Sequence, residues 1–328
     1  MNNYNSAKER TFYFIGVDTG SSSIMKVFPK WADYLGLNAA IKGFDFEPHA
    51  EPDAYREAVD FIKRDPLSLG ALVTTHKLDL LKASKDLFEK LGPYASLLDE
   101  ISSISKQGDS LWGHAKDPIT SGLSFEAIVK EGYWQESSAD LHLIGAGGSS
   151  LALTLYLINK RKAGGDTPNR IIISNRSLPR LEEMKELHKS LGDSGIEFEY
   201  ILAPTSEEND AVVNRLKSGS MVVNATGSGK DRPGSPLTDN VRFPENGIAW
   251  DFNYRGDLVF LDQAAAQKEK SSLTVEDGWL YFIHGWTRVT AEVFHVDIPT
   301  SGPKFDKLAE LAASTQIVEA ETKTVGFY

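Results

Sequence analysis

The sequence predicts an α/β protein of two domains, one of them of the Rossmann type, because three observations agree. Its 328 residues exceed the usual size of a single domain. Short apolar runs alternate with segments of helical periodicity, which is typical of a mostly parallel sheet with right-handed crossovers. A glycine-rich turn, Gly145-Ala-Gly-Gly148, joins one apolar run to the next helical segment. Such a turn is typical of a dinucleotide-binding domain.

Apolar patterning places the elements of the first half of the chain. Strands are expected at 11–16, 39–46 and 69–75, and a hairpin at 101–105 and 110–114 around Gln107-Gly108-Asp109. Helices are expected at 25–35, ending at Gly36, and at 52–64, 77–91 and 122–131.

The second half of the chain continues the alternation. Strands are expected at 141–144, 170–174, 197–202, 221–224 and 247–251, with a helix beginning near Ser149. Residues 312–328 are weakly patterned, and we expect them to fray as a tail.

Composition narrows the class of protein. A net charge of −11 disfavours nucleic-acid binding, and no apolar run is long enough to span a membrane. The polar, mixed-charge start predicts no signal peptide. The absence of cysteine excludes disulfides, thiolate metal sites and a cysteine nucleophile, and the seven histidines lack metal-ligand spacing, so we expect no metal. A cytoplasmic enzyme with a small-molecule substrate fits these properties best.

The glycine-rich turn suits a pyrophosphate. Gly145 and Gly147 would let the backbone approach the phosphates, and the helix that follows would direct its free N–H groups at them. Ser150 stands where the third glycine of the fingerprint is usual, and is still small. A doubly wound domain that binds no nucleotide is the alternative.

The next strand end points to a phosphorylated cofactor. NAD would favour an acidic residue there for the ribose hydroxyls. The chain instead offers Asn175, Arg176 and Ser177, followed by Arg180, and these suit the 2′-phosphate of NADP. We therefore predict NADP, with NAD as an alternative cofactor and an ordinary surface role as the alternative for Arg180.

Several segments, in one order over roughly residues 12–300, resemble the shikimate/quinate dehydrogenase family. They are Gly16-Val-Asp-Thr-Gly-Ser-Ser-Ser-Ile-Met25, Gly70-Ala-Leu-Val-Thr-Thr-His-Lys77, Leu111-Trp-Gly-His-Ala-Lys-Asp117, Gly145-Ala-Gly-Gly148, Asn175-Arg-Ser177, Val223-Asn-Ala-Thr226, Asp251-Phe-Asn-Tyr254 and Glu276-Asp-Gly-Trp-Leu280. The resemblance implies a substrate domain at 1–125, a dinucleotide-binding domain at 126–284, and C-terminal helices at 285–328 that return to the first domain. It also implies a cytoplasmic enzyme connected with aromatic amino-acid biosynthesis.

The resemblance assigns roles to individual residues. It implies that Lys77 exchanges the proton of the alcohol that loses or gains a hydride, and that Asp117 orients Lys77. The implied substrate-binding residues are Ser22, Thr74, Ser102, Tyr254 and His284. The implied cofactor-binding residues are Gly145, Gly147, Gly148, Asn175, Arg176, Ser177, Arg180, Asn224, Ala225, Thr226 and Gly278.

Departures from the family pattern fall on the substrate side. Polar family positions are occupied by Ile24, Leu72, Ser102, Ala115 and Gly285. Because a buried polar group without a partner costs about 1–3 kcal/mol, these changes would disfavour shikimate. The candidates for new recognition groups are His76, His114, Lys116, His284 and Arg288. We therefore expect a conserved reaction type on a different polyol or cyclic hydroxy compound.

Two other classes of protein remain. A non-catalytic NADP-binding regulator or sensor would explain the altered pocket, but the presence of Lys77 and Asp117 disfavours it. A related two-domain enzyme of folate or glutamyl-tRNA chemistry is the other, and the glutamyl-tRNA type needs a cysteine that this chain lacks. A homodimer is compatible with the sequence, although no motif requires one.

Overall fold

The computed structural model describes residues 4–230 and 232–325, and their side chains up to residue 315. The chain divides into two compact units. The first unit runs up to Lys116 and resumes at Ile283, and the second comprises Asp117–Phe282. The expected boundaries at residues 125 and 284 lie near these divisions, and the assignment of substrate and cofactor to separate domains stays a prediction.

The first unit is built on a mixed sheet. Its strands are β1 (Thr11–Gly16), β2 (Ala40–Asp45), β3 (Ser68–Val73), β4 (Lys90–Leu91), β5 (Ser103–Gln107) and β6 (Ser110–His114). Its first helices are α1 (Ile24–Leu35), α2 (Pro52–Arg64), α3 (Lys77–Ser84) and α4 (Pro93–Leu98). The strand order is β2-β1-β3-β5-β6-β4, in which β1 is parallel to β2 and β3, and β5 is antiparallel to β3 and β6.

Local sequence explains most of these elements. Every residue of β1 is buried, which fits a central strand covered on both faces. Helix α2 begins at Pro52 and ends at Arg64, as the periodicity predicts. Gly36 ends α1 with a φ of 67°, and Gly108 turns the predicted hairpin with a φ of 61°.

The expected helix at 77–91 is wrong beyond Ser84. A single 3-10 turn (Lys85–Leu87) follows α3, and the chain then extends so that Lys90 and Leu91 pair with Trp112 and Gly113 of β6. Pairing with this sheet edge overrides the local helical pattern. Pro93 then starts the short helix α4, which the periodicity did not predict.

The second unit contains a parallel sheet between helices. Its strands are β7 (Leu141–Ile144), β8 (Arg170–Asn175), β9 (Glu197–Leu202), β10 (Met221–Asn224), β11 (Ile248–Asp251) and β12 (Thr274–Glu276). Its helices are α5 (Asp117–Ile128), α6 (Tyr133–Ser137), α7 (Gly148–Lys162), α8 (Leu178–Ser190), α9 (Ser206–Val213), α10 (Val259–Ala265) and α11 (Lys268–Ser271). Helix α5 begins five residues before the expected start at residue 122.

The order of this parallel sheet is β12-β11-β10-β7-β8-β9. The direction of strand addition reverses between β7 and β10, which is the doubly wound topology of the Rossmann fold. The predicted α/β class is therefore confirmed. In such sheets a ligand binds outside the carboxyl ends of the strands at this reversal.

Two further helices complete the chain. Helix α12 (Trp279–Phe294) crosses the boundary between the units, and α13 (Pro303–Val325) belongs to the first. The expected frayed tail is wrong, because α13 continues to Val325. Buried Leu308 and Ala312 pack this helix against the first unit. Trp31 Nε1 also donates to the Leu308 carbonyl oxygen at 2.8 Å. Residues 326–328 of that expected tail lie outside the described residues. Within the described residues no helix is long and apolar enough to cross a bilayer.

Candidate active site

The turn after β7 has the geometry that the glycine pattern predicts. Gly145 has a φ of 110°, and a Cβ there would lie 2.9 Å from the Ala225 carbonyl oxygen. No side chain therefore fits between the ends of β7 and β10 at this position. Gly147 and Gly148 are exposed, and a Cβ at either would meet no protein atom within 4 Å. The turn leaves open space beside its backbone.

Two helices begin with uncapped N-termini at this edge of the sheet. Gly147 precedes α7 and Ser177 precedes α8, and neither residue makes a side-chain capping hydrogen bond. The first N–H groups of α7 adjoin the open glycines, which suits an anion. Ser150, at the third glycine position, is buried and donates to the Gly145 carbonyl oxygen at 2.6 Å.

The two arginines nominated for the 2′-phosphate differ. Arg176 is exposed, and it makes no ion pair with a described residue. Arg180 lies 2.9 Å from Glu183 on the exposed face of α8. Asn175 donates to the Ser177 carbonyl oxygen at 3.1 Å, which fixes the loop that carries Arg176. Arg176 is thus the better candidate for contact with an added phosphate.

A buried amide and carboxylate network fixes the ends of β10 and β11. Asn224 donates to Asp251 at 2.9 Å and accepts from the Thr226 hydroxyl at 2.6 Å. Asn253 donates to Asp251 at 2.8 Å and to the Thr226 carbonyl oxygen at 3.1 Å. Burial raises the pKa of Asp251 to about 6, although these hydrogen bonds favour its charged form. The network positions the backbone from Asn224 to Thr226 beside the glycine turn.

Gly278 and Tyr254 lie just beyond this network. Gly278 is buried, and a Cβ there would lie 2.1 Å from the Phe252 carbonyl oxygen. Its N–H donates to the Asn253 carbonyl oxygen at 3.0 Å, so the residue has a packing role. Tyr254 packs against Trp279 and Phe282, with ring centroids 5.4 and 4.8 Å apart. Direct contact of either residue with a ligand stays a prediction.

The two proposed catalytic residues begin helices. Lys77 is the first residue of α3 in the first unit, and Asp117 is the first residue of α5 in the second. The turn before Lys77 is one residue shorter than the family pattern, and Thr75 adopts a φ of 40° there. A left-handed threonine is strained, and such strain is found most often at functional sites.

The substrate residues nominated in the first unit are partly engaged by the backbone. Thr74 donates its hydroxyl to the Ile15 carbonyl oxygen at 3.3 Å. Buried Ser102 accepts from the Lys116 N–H at 2.8 Å. Ser22 is half-buried at the loop before α1. Three of the altered positions, Ile24, Leu72 and Ala115, are buried apolar residues.

A carboxylate that the sequence reasoning missed lies beside two of the residues nominated as new recognition groups. Glu292 of α12 places Oε2 2.6 Å from Lys116 Nζ and Oε1 3.0 Å from His114 Nε2. All three side chains are largely buried, with at most 23% of their surface exposed. His114 and Lys116 together hold the pKa of Glu292 at about 2. We call these three residues the Glu292 cluster.

The other nominated groups also have internal partners. Arg288 donates to the backbone carbonyl oxygens of Ile298 and Pro299. His284 is buried against the Phe305 ring at 4.6 Å, and burial, assisted by Arg288, lowers its pKa to about 4. Its Nδ1 has no hydrogen-bond partner among the described residues.

His76 is held by a hydrogen bond at one nitrogen of its ring. Its Nδ1 lies 2.9 Å from the Tyr55 hydroxyl, which accepts from the Ala50 N–H at 3.1 Å. One signal in the sequence could have indicated such internal pairing. Arg288 and Glu292 are four positions apart in a helix that contains no other aspartate, glutamate, lysine or arginine, and buried charges need partners.

The described residues contain no group of three or more histidine and carboxylate side chains placed to hold a metal ion.

Comparison with known proteins agrees with this architecture. No family profile matches the sequence. The NADP(+) shikimate dehydrogenase of Lactococcus lactis subsp. cremoris is 23% identical over 168 residues, which are 51% of this chain and 54% of that protein. The chain thus matches about half the length of this relative.

Solved structures match over almost the whole chain. Shikimate 5-dehydrogenase of Thermus thermophilus, with NADP(H) and shikimate bound, is 19% identical with a TM-score of 0.64, covering 92% of this chain and 99% of that one. Quinate dehydrogenase of Corynebacterium glutamicum, with NAD bound, is 15% identical with a TM-score of 0.66, covering 93% and 99%. This chain has the same fold, which confirms the resemblance drawn from the motifs.

Proposed function

We propose that this protein is an NADP-dependent oxidoreductase that transfers a hydride between nicotinamide and a secondary alcohol or ketone of a cyclic hydroxy acid or polyol. One observation carries the proposal: the open turn from Gly145 to Gly148 meets an uncapped helix at the strand-order reversal, with Arg176 at the next strand end. The name of the Lactococcus relative and the ligands of the Thermus structure support NADP. The NAD bound to the Corynebacterium enzyme keeps NAD as the alternative.

The residues of the second unit fit a dinucleotide. A Cβ at Gly147 or Gly148 would occupy the open space where a pyrophosphate would approach the backbone. The N-terminal N–H groups of α7 would donate to that anion, and Arg176 would pair with a 2′-phosphate. Bound NADP supplies the hydride acceptor.

Lys77 and Asp117 are the proposed proton-transfer residues. The Lys77 amine would take the alcohol proton as the hydride leaves and return it in the reverse reaction. The Asp117 carboxylate would orient that amine and stabilise its protonated form. Thr75, two residues before Lys77, adopts the left-handed backbone conformation.

The test is NADP+ reduction across shikimate, quinate, aminated analogues and uncharged cyclitols. We expect turnover of at least one compound, and we expect Lys77→Met to abolish it while the Kd for NADP+ stays within about twofold. Lys82→Met, on an exposed position of the same helix, is the matched control and should keep full activity. Undiminished turnover in Lys77→Met would overturn the assignment of Lys77.

The altered substrate positions favour one second candidate, a regulator that binds NADP without turnover. Tight NADP+ binding together with no turnover of any compound would select it. The proposal also places the protein in the cytoplasm, which its lack of cysteine supports. A homodimer stays a prediction that sedimentation equilibrium would test.

A further inference from the structure

The turn before Lys77 is strained and has to be held by the groups around it. The His76 N–H donates to the Thr74 carbonyl oxygen, which closes a three-residue turn around Thr75. Thr75 adopts a φ of 40°, a conformation that a β-branched residue rarely takes. Such a backbone persists only where its surroundings fix it firmly. The position of Lys77, the first residue of α3, therefore depends on what anchors His76.

The side chain of His76 is a buried anchor. Only 1% of the residue is exposed, and the centroid of its ring lies 5.3 Å from that of Tyr55 and 5.9 Å from that of Phe46. Its Nδ1 lies 2.9 Å from the Tyr55 hydroxyl, which accepts from the Ala50 N–H at 3.1 Å. This chain of hydrogen bonds ties the start of α3 to α2 and to the segment that precedes α2.

The groups around the Tyr55 hydroxyl decide the direction of its bond to His76. Tyr55 is fully buried, and desolvation raises the pKa of its phenol, so the hydroxyl keeps its hydrogen. The oxygen accepts from Ala50, and the hydrogen has His76 Nδ1 within reach as its acceptor. Tyr55 therefore donates to Nδ1, and in the neutral form of the His76 ring the proton lies on Nε2.

Stability alone does not account for a histidine at this position. Nε2 of His76 has no hydrogen-bond partner among the described residues. A buried donor without an acceptor costs free energy, and an apolar side chain would fill this aromatic-lined space without that cost. What histidine supplies, and an apolar residue would lack, is the Nδ1 atom that bonds to Tyr55. Local departures of this kind from the most stable choice are expected at functional sites.

We infer that His76 is a positioning residue, which fixes Lys77 for proton transfer through its hydrogen bond to Tyr55. This inference rests on the proposed function, because it concerns the proton-transfer residue of that reaction. A displacement of about 1 Å in a reacting group can cost about 100-fold in rate, so release of the turn should lower kcat. His76 acts through the backbone and needs no contact with substrate or cofactor.

Variants at both ends of the hydrogen bond test its role. Tyr55→Phe and His76→Leu each remove the bond, and each should lower kcat at least about tenfold while KM and the Kd for NADP+ stay within about twofold. His76→Asn keeps a polar atom at the δ position that can bond to the Tyr55 hydroxyl, so it should retain most of the wild-type kcat.

A matched control removes a different contact of the same helical turn. His49 Nδ1 lies 2.9 Å from Asp79 Oδ2 of α3, and this pair is exposed. Because an exposed pair contributes little, His49→Gln should leave kcat unchanged. The double variant Tyr55→Phe/His76→Leu should lose no more kcat than either single variant, because both changes remove one bond. Wild-type kcat in His76→Leu, or losses that multiply in the double variant, would overturn the inference.

A second control separates positioning from loss of stability. Ile62 of α2 is buried in the same core cluster as Tyr55. Ile62→Val should lower the midpoint of urea unfolding and leave kcat unchanged. A fall in kcat in Ile62→Val as large as that in His76→Leu would assign the effect to stability and would also overturn the inference.

Chemical labelling of Lys77 gives a readout that does not need turnover. Competitive acetylation with acetic anhydride, measured by mass spectrometry, compares half-buried Lys77 with exposed Lys82 of the same helix. Tyr55→Phe and His76→Leu should raise the ratio of Lys77 to Lys82 acetylation at least about threefold, because the turn opens, and His49→Gln should not.

The outcomes separate this inference from the proposed function. If no compound is turned over but the acetylation ratio rises as expected, the redox proposal fails and the positioning role stands. If Lys77→Met is inactive while Tyr55→Phe and His76→Leu keep the wild-type kcat and acetylation ratio, the redox proposal stands and the positioning role fails.

Discussion

The two units of this chain differ in how closely their residues match the family pattern. At the sheet edge of the second unit, Gly145, Gly147 and an uncapped helix keep the features that suit a dinucleotide. In the first unit, several side chains at the predicted substrate positions are apolar or have partners within the unit, as in the Glu292 cluster. The comparison separates recognition by backbone from recognition by side chains.

Recognition by backbone tolerates fewer amino-acid substitutions than recognition by side chains. Backbone recognition needs a left-handed turn and room beside it, so few residues other than glycine are compatible. Side-chain recognition depends on donors and acceptors that can be replaced one at a time. A fold can therefore keep its cofactor geometry while its substrate changes.

Gly147→Ala tests most directly whether the second unit binds a cofactor through its backbone. The added methyl group meets no protein atom within 4 Å, so the melting temperature should stay the same. It would occupy the space proposed for the pyrophosphate, and the Kd for NADP+ should rise about 100-fold, or about 2.7 kcal/mol. Isothermal titration calorimetry measures this change. Gly20→Ala, equally unobstructed in the first unit, should bind normally, and unchanged affinity in Gly147→Ala would reject the backbone site.

Alanine substitutions at one glycine of each unit should change the free energy of unfolding in opposite directions. Gly278→Ala would bring a Cβ within 2.1 Å of the Phe252 carbonyl oxygen and should lower the free energy of unfolding by about 2 kcal/mol. Gly285→Ala meets no atom within 4 Å inside α12 and should raise it by about 0.5–1 kcal/mol. Urea denaturation measures both. Equal effects would show that Gly278 has no special packing role.

Much of the second unit could be predicted from sequence because its signals are local. The apolar runs that precede Gly145 and Asn175 became β7 and β8, and the glycine turn adopts the expected backbone. Each of these features depends on a few consecutive residues and on the two-residue period of strands. The predicted Rossmann-type domain followed from them.

The missed features depend on contacts between distant segments. Glu292 meets His114 and Lys116 across more than 170 positions of the chain, with the Lys116 contact spanning 176. Strand β4 replaces the expected helix because it pairs with β6. Short-range periodicity carries no information about such partners. The sequence could therefore predict that the family's substrate positions are altered, but it could not predict the Glu292 cluster.

Two buried histidines of the second unit make its stability depend on pH. Burial lowers the pKa of His142 to about 3 and that of His188 to about 4. Below an ordinary pKa of about 6.5 each of these histidines binds a proton in the unfolded chain but not in the folded unit, so its own contribution to stability falls with pH until its folded pKa is reached.

His188→Gln should remove its share of that loss. Between pH 7.5 and 5.5 the variant's unfolding free energy should fall by about 1.4 kcal/mol less than that of the wild type. Lys185→Gln, on an exposed position of the same helix, is the control and should follow the wild type. Urea denaturation at the two pH values measures the difference, and identical losses in His188→Gln and the wild type would contradict the role of His188.

The smallest expected effects separate the two arginines at the cofactor edge. Arg176 makes no ion pair with a described residue, so Arg176→Ala should weaken NADP+ binding about five- to tenfold through loss of a charge-assisted contact. Arg180 already pairs with Glu183 at 2.9 Å, so Arg180→Ala should change the Kd by less than about twofold. Binding of NAD+, which lacks the 2′-phosphate, should be unaffected in both variants. A larger loss in Arg180→Ala would mean that the ligand draws Arg180 away from Glu183, and that this edge also adjusts its side chains to its ligand.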